Sequence, residues 1–187
     1  MIINALTYRH NGIARDIITP VKLKNLFSDQ IIETKGLWDT GATDSVITKN
    51  TAKTLGLIPI SKAIVNGVHG SKEVNVYYIN ITLNNNQITL DTQVTDCEEL
   101  SSDYSVGMLI GMNIITRGDF SITNFDNNTI MSFRVPSIEG IDYVNEINEY
   151  NKYLQIHNCL SKIGNEKCPC NSGKKWKNCH GASKYSF

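Results

Sequence analysis

Hydrophobic period changes once along this chain, close to Pro136, and the change divides it into a β-rich body and a helical remainder. Before Pro136 the apolar residues come in short or alternating runs broken by turn residues, the pattern of half-buried strands. Ile17-Ile18, Val21-Lys22-Leu23, Ile31-Ile32 and Gly36-Leu37-Trp38 open the series. Ala63-Ile64-Val65 and the run from Val74 to Leu83 flank Asn66-Gly67-Val68-His69-Gly70, whose glycines supply the positive φ of a hairpin turn. The second arm alternates with a slip near Tyr77-Tyr78. Strands are also predicted from Ile88 to Val94, from Asp119 to Asn124 and from Thr129 to Arg134, with a buried apolar run at Met108-Leu109-Ile110-Gly111 and short helices at Thr48 to Leu55 and Asn113 to Thr116. After Pro136, Ile138, Ile141, Val144, Ile147, Tyr150 and Leu154 recur at three- and four-residue spacing, which predicts an amphipathic helix over about 137–160. Three regions follow: a β body over 1–135, a helical connector over 136–163 and a short tail over 164–187.

A chain of 187 residues is long enough to bury a core of its own. With 41% hydrophobic and 19% charged residues it has the composition of a soluble globular protein. No run approaches the roughly 20 apolar residues that span a bilayer, and the start lacks a basic segment followed by an apolar core and a cleavage site. The expectation is a cytoplasmic protein with no membrane span. Formal charge is zero overall, but the tail from Gly164 carries +4 and the remainder −4. That asymmetry suggests two units with different partners. Three of the five cysteines, Cys168, Cys170 and Cys179, crowd into the tail, and with an odd count a reduced thiol cluster is a better reading than a disulfide scaffold.

The stretch that carries chemistry is Leu37-Trp38-Asp39-Thr40-Gly41-Ala42-Thr43-Asp44-Ser45-Val46-Ile47. Alone, Asp-Thr-Gly is a turn after a strand. Its flanks change that: two apolar residues precede the Asp, a hydroxyl-rich loop follows the Gly, Leu109-Ile110-Gly111 supplies a second apolar-apolar-glycine element, and the Gly-rich hairpin lies between them. This ordered set, over about residues 15–135, resembles the retropepsin-like aspartic proteases.

The resemblance implies a mainly β fold with a closed, retropepsin-like barrel. It implies that Asp39 is the catalytic residue with Thr40 and Gly41 as its loop partners, and that Leu109-Ile110-Gly111 packs across them. Ala42, Thr43 and Asp44, with Gly67, Val68, His69 and Gly70 of a flap, would contact substrate. Asp44 has a second reading, as a cap for the helix near Thr48. Hydrolysis without metal or covalent intermediate needs one carboxylate to take a proton from water and a second, protonated one to support the carbonyl oxygen. Two carboxyls about 3 Å apart cannot both ionise, so they share a proton. This chain holds a single Asp-Thr-Gly, so the second aspartate would come from a second copy across a two-fold axis. Thr40 would reach across that axis to the partner loop. Thr43 and Met112 stand where viral members carry an acidic residue and an arginine that pair, so both charges are lost together. No viral-type pair of terminal dimer strands stands out, which passes that task to the connector helix. His69 also reads as an exposed turn histidine, and Asp91, Asp96, Asp103 and Asp119 read as solvated carboxylates on turns and strand edges.

In the tail, Cys168-Pro169-Cys170 precedes Cys179-His180 by eight residues, a set of donors suited to tetrahedral Zn²⁺. The segment resembles the SEC-C motif, the short zinc-binding tail also found at the end of the SecA translocation ATPase, with Asn171 where Gly is commoner. The resemblance implies Cys168, Cys170, Cys179 and His180 as ligands. A fully protein-ligated zinc is structural, and it would supply most of the folding energy of so short a unit. The resemblance also implies a protein or ribosome partner, whereas the few lysines around Trp176 give nucleic acid only weak support. Two functions stay open: a homodimeric aspartic endopeptidase acting on a protein or peptide, and a non-catalytic dimeric adaptor that uses the barrel as scaffold and the zinc knuckle as contact surface.

Overall fold

The structure, a computed structural model, describes residues 2–67, 70–103, 105–160, 164–168 and 172–179. It divides into two compact units, Met1–Glu139 and Gly140–Phe187, each described by itself.

The first unit is β throughout apart from two short helices. Its strands are β1 (Asn4–Asn11), β2 (Ile17–Asn25), β3 (Ile31–Trp38), β4 (Val46–Thr48), β5 (Ser61–Gly67), β6 (Gly70–Leu83), β7 (Thr89–Cys97), β8 (Val106–Ile110), β9 (Asp119–Phe125) and β10 (Asn128–Val135), with α1 (Lys49–Thr54) after β4 and α2 (Met112–Ile115) after β8. Six strands run in the order β2-β3-β8-β4-β7-β6, and pairing of β2 with β6 closes them into a barrel. Strand β5 adds to the outer part of β6. A separate three-stranded sheet has the order β1-β10-β9.

Alternation explains the barrel. Along β2, Ile17, Thr19, Val21, Leu23 and Asn25 point inward, and along β6 Ile79, Ile81 and Leu83 do the same. The slip near Tyr77 is real: Val76 and Tyr77 are both buried. At Val76 the strand acquires β7 on one edge while keeping β5 on the other, and from Ile79 it exchanges β5 for β2. Gly36 is packed tightly between strands: a Cβ there would lie 2.9 Å from Ile110 Cδ1 on β8 and 3.0 Å from Val21 Cγ1 on β2. Trp38 joins the two sheets, its ring 5.4 Å from Phe120 and 5.2 Å from Phe133, and its indole N–H donates to Thr19 Oγ1 at 2.9 Å.

Strand β1 was not expected, because Asn, Arg and His interrupt its apolar residues and only Leu6 is fully buried. Its pairing with β10, from Asn4↔Val135 to Asn11↔Asn128, forms it. Asp142 caps α3 (Tyr143–Leu160), accepting from the amides of Val144 and Asn145. The helix therefore begins later than the apolar spacing suggests. In the tail, Lys167 bridges Lys175, Cys168 N donates to Lys174 O at 2.8 Å, and a 3-10 turn at Trp176–Asn178 closes the knuckle around a buried Trp176.

Candidate active site

Asp39 is the residue that follows β3, and backbone and side-chain bonds together fix its position. Its N–H donates to Ile110 O at 3.0 Å, tying it to the end of β8. Its Oδ1 accepts from Gly41 N at 2.8 Å, a turn closed by the carboxylate itself. The loop is braced from behind by the start of α2. Met112 N donates to Ala42 O at 2.8 Å and Asn113 N to Thr43 O at 3.0 Å. These links run through the backbone, so they hold without the acidic residue and arginine that Thr43 and Met112 replace.

Ser45, fully buried, ties the two segments together. Its N–H and hydroxyl both donate to Asn113 Oδ1, at 3.0 and 2.7 Å, and its Oγ accepts from Gly111 N at 3.0 Å. A Cβ on Gly111 would lie 2.5 Å from Asp44 O, so the apolar-apolar-glycine element packs across the loop only with glycine. Sequence reasoning identified Leu109-Ile110-Gly111 as the supporting element but missed the Ser45–Asn113 bracket. The only signal was an Asn opening a short helix, which reads equally well as a surface residue.

The outer face of the loop is left to solvent. Asp39 and Ala42 are half-buried, whereas Thr40, Gly41, Thr43 and Asp44 are exposed. The cap of α1 is Thr48, whose Oγ1 accepts from Thr51 N at 3.1 Å, so Asp44 does not serve as that cap.

Of the flap residues, Gly67 and Gly70 form the last pair of the β5–β6 hairpin, with Gly70 at φ 106°, while Val68 and His69 lie outside the described residues. Between the hairpin and strands β4 and β7 runs a groove of about 480 Å³ with Val46, Val65 and Val74 in its walls and Lys72 and Glu98 at its edge. Asp39 to Asp44 are not among the described residues that line it. Cys97 lines it too, and burial, then the neighbouring Asp96 and Glu98 carboxylates, push its thiol above the ordinary value, which suppresses the thiolate a cysteine nucleophile needs.

Of the other carboxylates, Asp91 and Asp103 are exposed as expected, whereas Asp96 and Asp119 are less solvated. Asp96 is buried and accepts from Asn75 and Tyr77, and Asp119 accepts from the amide of Ile138 and the guanidinium of Arg134. The hydroxyl of Ser137, that amide and Arg134, in that order, hold the Asp119 carboxyl well below the usual carboxylate range.

Of the four tail donors, Cys168 is buried and Cys179 half-buried with its Sγ 3.2 Å from Ser172 Oγ, while Cys170 and His180 lie outside the described residues. A buried thiol on one side of the knuckle and a second at the end of its 3-10 turn fit a structural metal by donor chemistry. Among the described residues of the tail, Trp176 is buried and Lys174, Lys175 and Lys177 are exposed.

Residues 29–117 match the family model described as "gag-polyprotein putative aspartyl protease", and residues 165–182 match the SEC-C motif. Among solved structures, the chain is similar to a retropepsin-like aspartic protease from Rickettsia conorii at 14% identity, covering 72% of this chain and 97% of that one with a TM-score of 0.46. It is similar to the retroviral protease-like domain of Ddi1 from Leishmania major at 17% identity, covering 70% and 99% with a TM-score of 0.43. A simian foamy virus protease aligns at 19% identity over 53% of this chain and 91% of its own, with a TM-score of 0.37. No curated protein matches significantly. The β body matches the aspartyl protease model over residues 29–117, and the tail matches a SEC-C motif. No helix among the described residues is long and apolar enough to cross a membrane.

Proposed function

We propose that a chain with this family signature in its β body is a homodimeric aspartic endopeptidase. One observation carries the reading: the Asp39 loop is held rigidly from behind by Ile110, Gly111, Ser45 and Asn113, while Thr40, Gly41, Thr43 and Asp44 face solvent. A loop held so firmly behind, open to solvent in front and carrying a single half-buried Asp39 carboxylate is half of a site. A second copy brings the other half, and the exposed Thr40 hydroxyl is free to hydrogen-bond the partner loop's backbone.

In the shared pair, the ionised Asp39 takes a proton from a water as that water's oxygen attacks the peptide carbonyl carbon. The protonated Asp39 of the second copy donates to the carbonyl oxygen as it becomes an alcohol. The tetrahedral diol then collapses: one hydroxyl returns a proton to the ionised carboxylate as the C–N bond breaks, the other carboxyl gives its proton to the leaving amine nitrogen, and the acid and amine products separate. The β5–β6 hairpin covers an extended protein or peptide substrate, with aliphatic side chains received among Val46, Val65 and Val74.

The tail adds recruitment. Cys168, Cys170, Cys179 and His180 would hold a Zn²⁺ that fixes the knuckle, and the exposed lysines form its contact surface for a protein or ribosomal partner. Cleavage of an unbiased peptide library tests the catalytic reading: wild type is expected to give defined products and Asp39→Asn none, with fold and dimer retained. An identical product set from Asp39→Asn rejects Asp39 as the catalytic group, and a wild type that cleaves nothing leaves the adaptor as the function.

A further inference from the structure

The β5–β6 hairpin leaves the barrel at a defined rung. Pairing of β6 with β7 ends at Val76↔Thr95, and residues 70–75 pair with β5 alone. The next residue on each strand is Asn75 and Asp96. There a side chain takes over from the ladder: the Asp96 carboxylate accepts from Asn75 N at 3.0 Å, from Asn75 Nδ2 at 2.9 Å and from Tyr77 OH at 3.2 Å. Asp96 is 4% exposed. A carboxylate so placed is costly unless its lone pairs are filled, and here these three donors all lie on β6.

We infer that Asp96 is a positioning residue that sets the tilt of the hairpin over the groove. The inference rests on the peptidase reading only for its kinetic consequence. Glu98 also links the hairpin to the body, lying 3.8 Å from Lys72 on β6 and bonding Lys49 on α1, but this is an exposed pair of the kind that contributes little. Leverage makes the fulcrum matter. Six residues of strand reach about 20 Å, so a tilt of about 10° at Asn75 displaces the hairpin end by about 3.5 Å. Asp96 also connects this fulcrum to the candidate site. It pairs with Ile47 in β4, next to Val46↔Thr95, and Thr95 N donates to Ser45 O at 3.2 Å, so the strand that leaves the Asp39 loop and the root of the hairpin share one rung.

Hydrogen exchange on the free protein tests the inference without requiring activity. In Asp96→Asn an amide replaces an acceptor-only group, and exchange of hairpin amides over 62–75 is expected to rise about tenfold while barrel amides over 79–94 keep their rates. In the kinetic arm, KM for a cleaved peptide is expected to rise about tenfold with kcat within about twofold, the pattern of lost substrate positioning without lost chemistry. Should Asp96→Asn not fold, Asn75→Ala, which removes one donor and keeps the backbone one, is expected to give a smaller increase confined to the same amides. Unchanged hairpin exchange, or equal acceleration in hairpin and barrel, would overturn the inference. A protein that shows the exchange pattern but cleaves no peptide leaves the fulcrum standing and removes the peptidase.

Discussion

At the scale of single residues, the site is set by groups that touch nothing catalytic. Gly111 and Ser45 hold the Asp39 loop, and each makes a specific expectation. Gly111→Ala places a Cβ 2.5 Å from Asp44 O, backbone that cannot rotate away. It is expected to destabilise the protein by about 1–3 kcal/mol and to abolish cleavage, measured by thermal unfolding alongside peptide hydrolysis. Ser45→Ala strands Gly111 N and removes one donor from Asn113, and at a buried position this costs about 1–3 kcal/mol in chemical denaturation. Asp119 belongs to another part of the body, where it holds the segment after β10 through Ser137, Ile138 and Arg134. Its folded pKa lies below that of the unfolded chain, so its stabilisation is present above about pH 4 and is lost as pH falls through the folded value. Acidification below about pH 4 is therefore expected to lower the unfolding midpoint, and Asp119→Asn to lower it at neutral pH while flattening the acid slope. A variant with the wild-type profile would show that this carboxylate contributes nothing.

At the scale of elements, legibility followed burial. The strands with alternating inward residues, β2, β6 and β10, were readable because each has one face in the core. Helix α1 was readable from Thr48 to Leu55 because a capping hydroxyl and a buried Leu55 mark its ends. Strand β1 was not, since its structure comes from its partner β10 and its own residues alternate weakly. The Asp-Thr-Gly loop and the glycine that packs across it were legible as motifs. Asp96 was not, because a carboxylate on a strand end gives no sign of burial until β6 is laid beside it. The helix α3 carries its apolar residues in the open: Ile138 and Ile141 ahead of it and Val144, Ile147 and Tyr150 along it are all exposed. Lysines at Val144 and Ile147 together are expected to leave the thermal stability of the β body unchanged, which differential scanning calorimetry checks.

At the scale of the whole molecule, the two units ask different questions. The tail has too few residues for a core, and its expected zinc is its source of order. Chelation is therefore expected to raise protease sensitivity beyond Gly164 and to leave peptide cleavage by the body intact. Loss of cleavage on chelation would instead tie the metal to the chemistry.

The central claim is that a carboxylate pair is assembled from two chains, and mixing measures it directly. Wild type is coexpressed with increasing Asp39→Asn, and hydrolysis is read per wild-type chain. For a shared pair, the rate per wild-type chain falls with the fraction of wild-type partners, to about half at equal mixing and about a tenth at ninefold excess. A rate per wild-type chain that stays constant across the series would mean that each Asp39 acts alone, and would contradict the account.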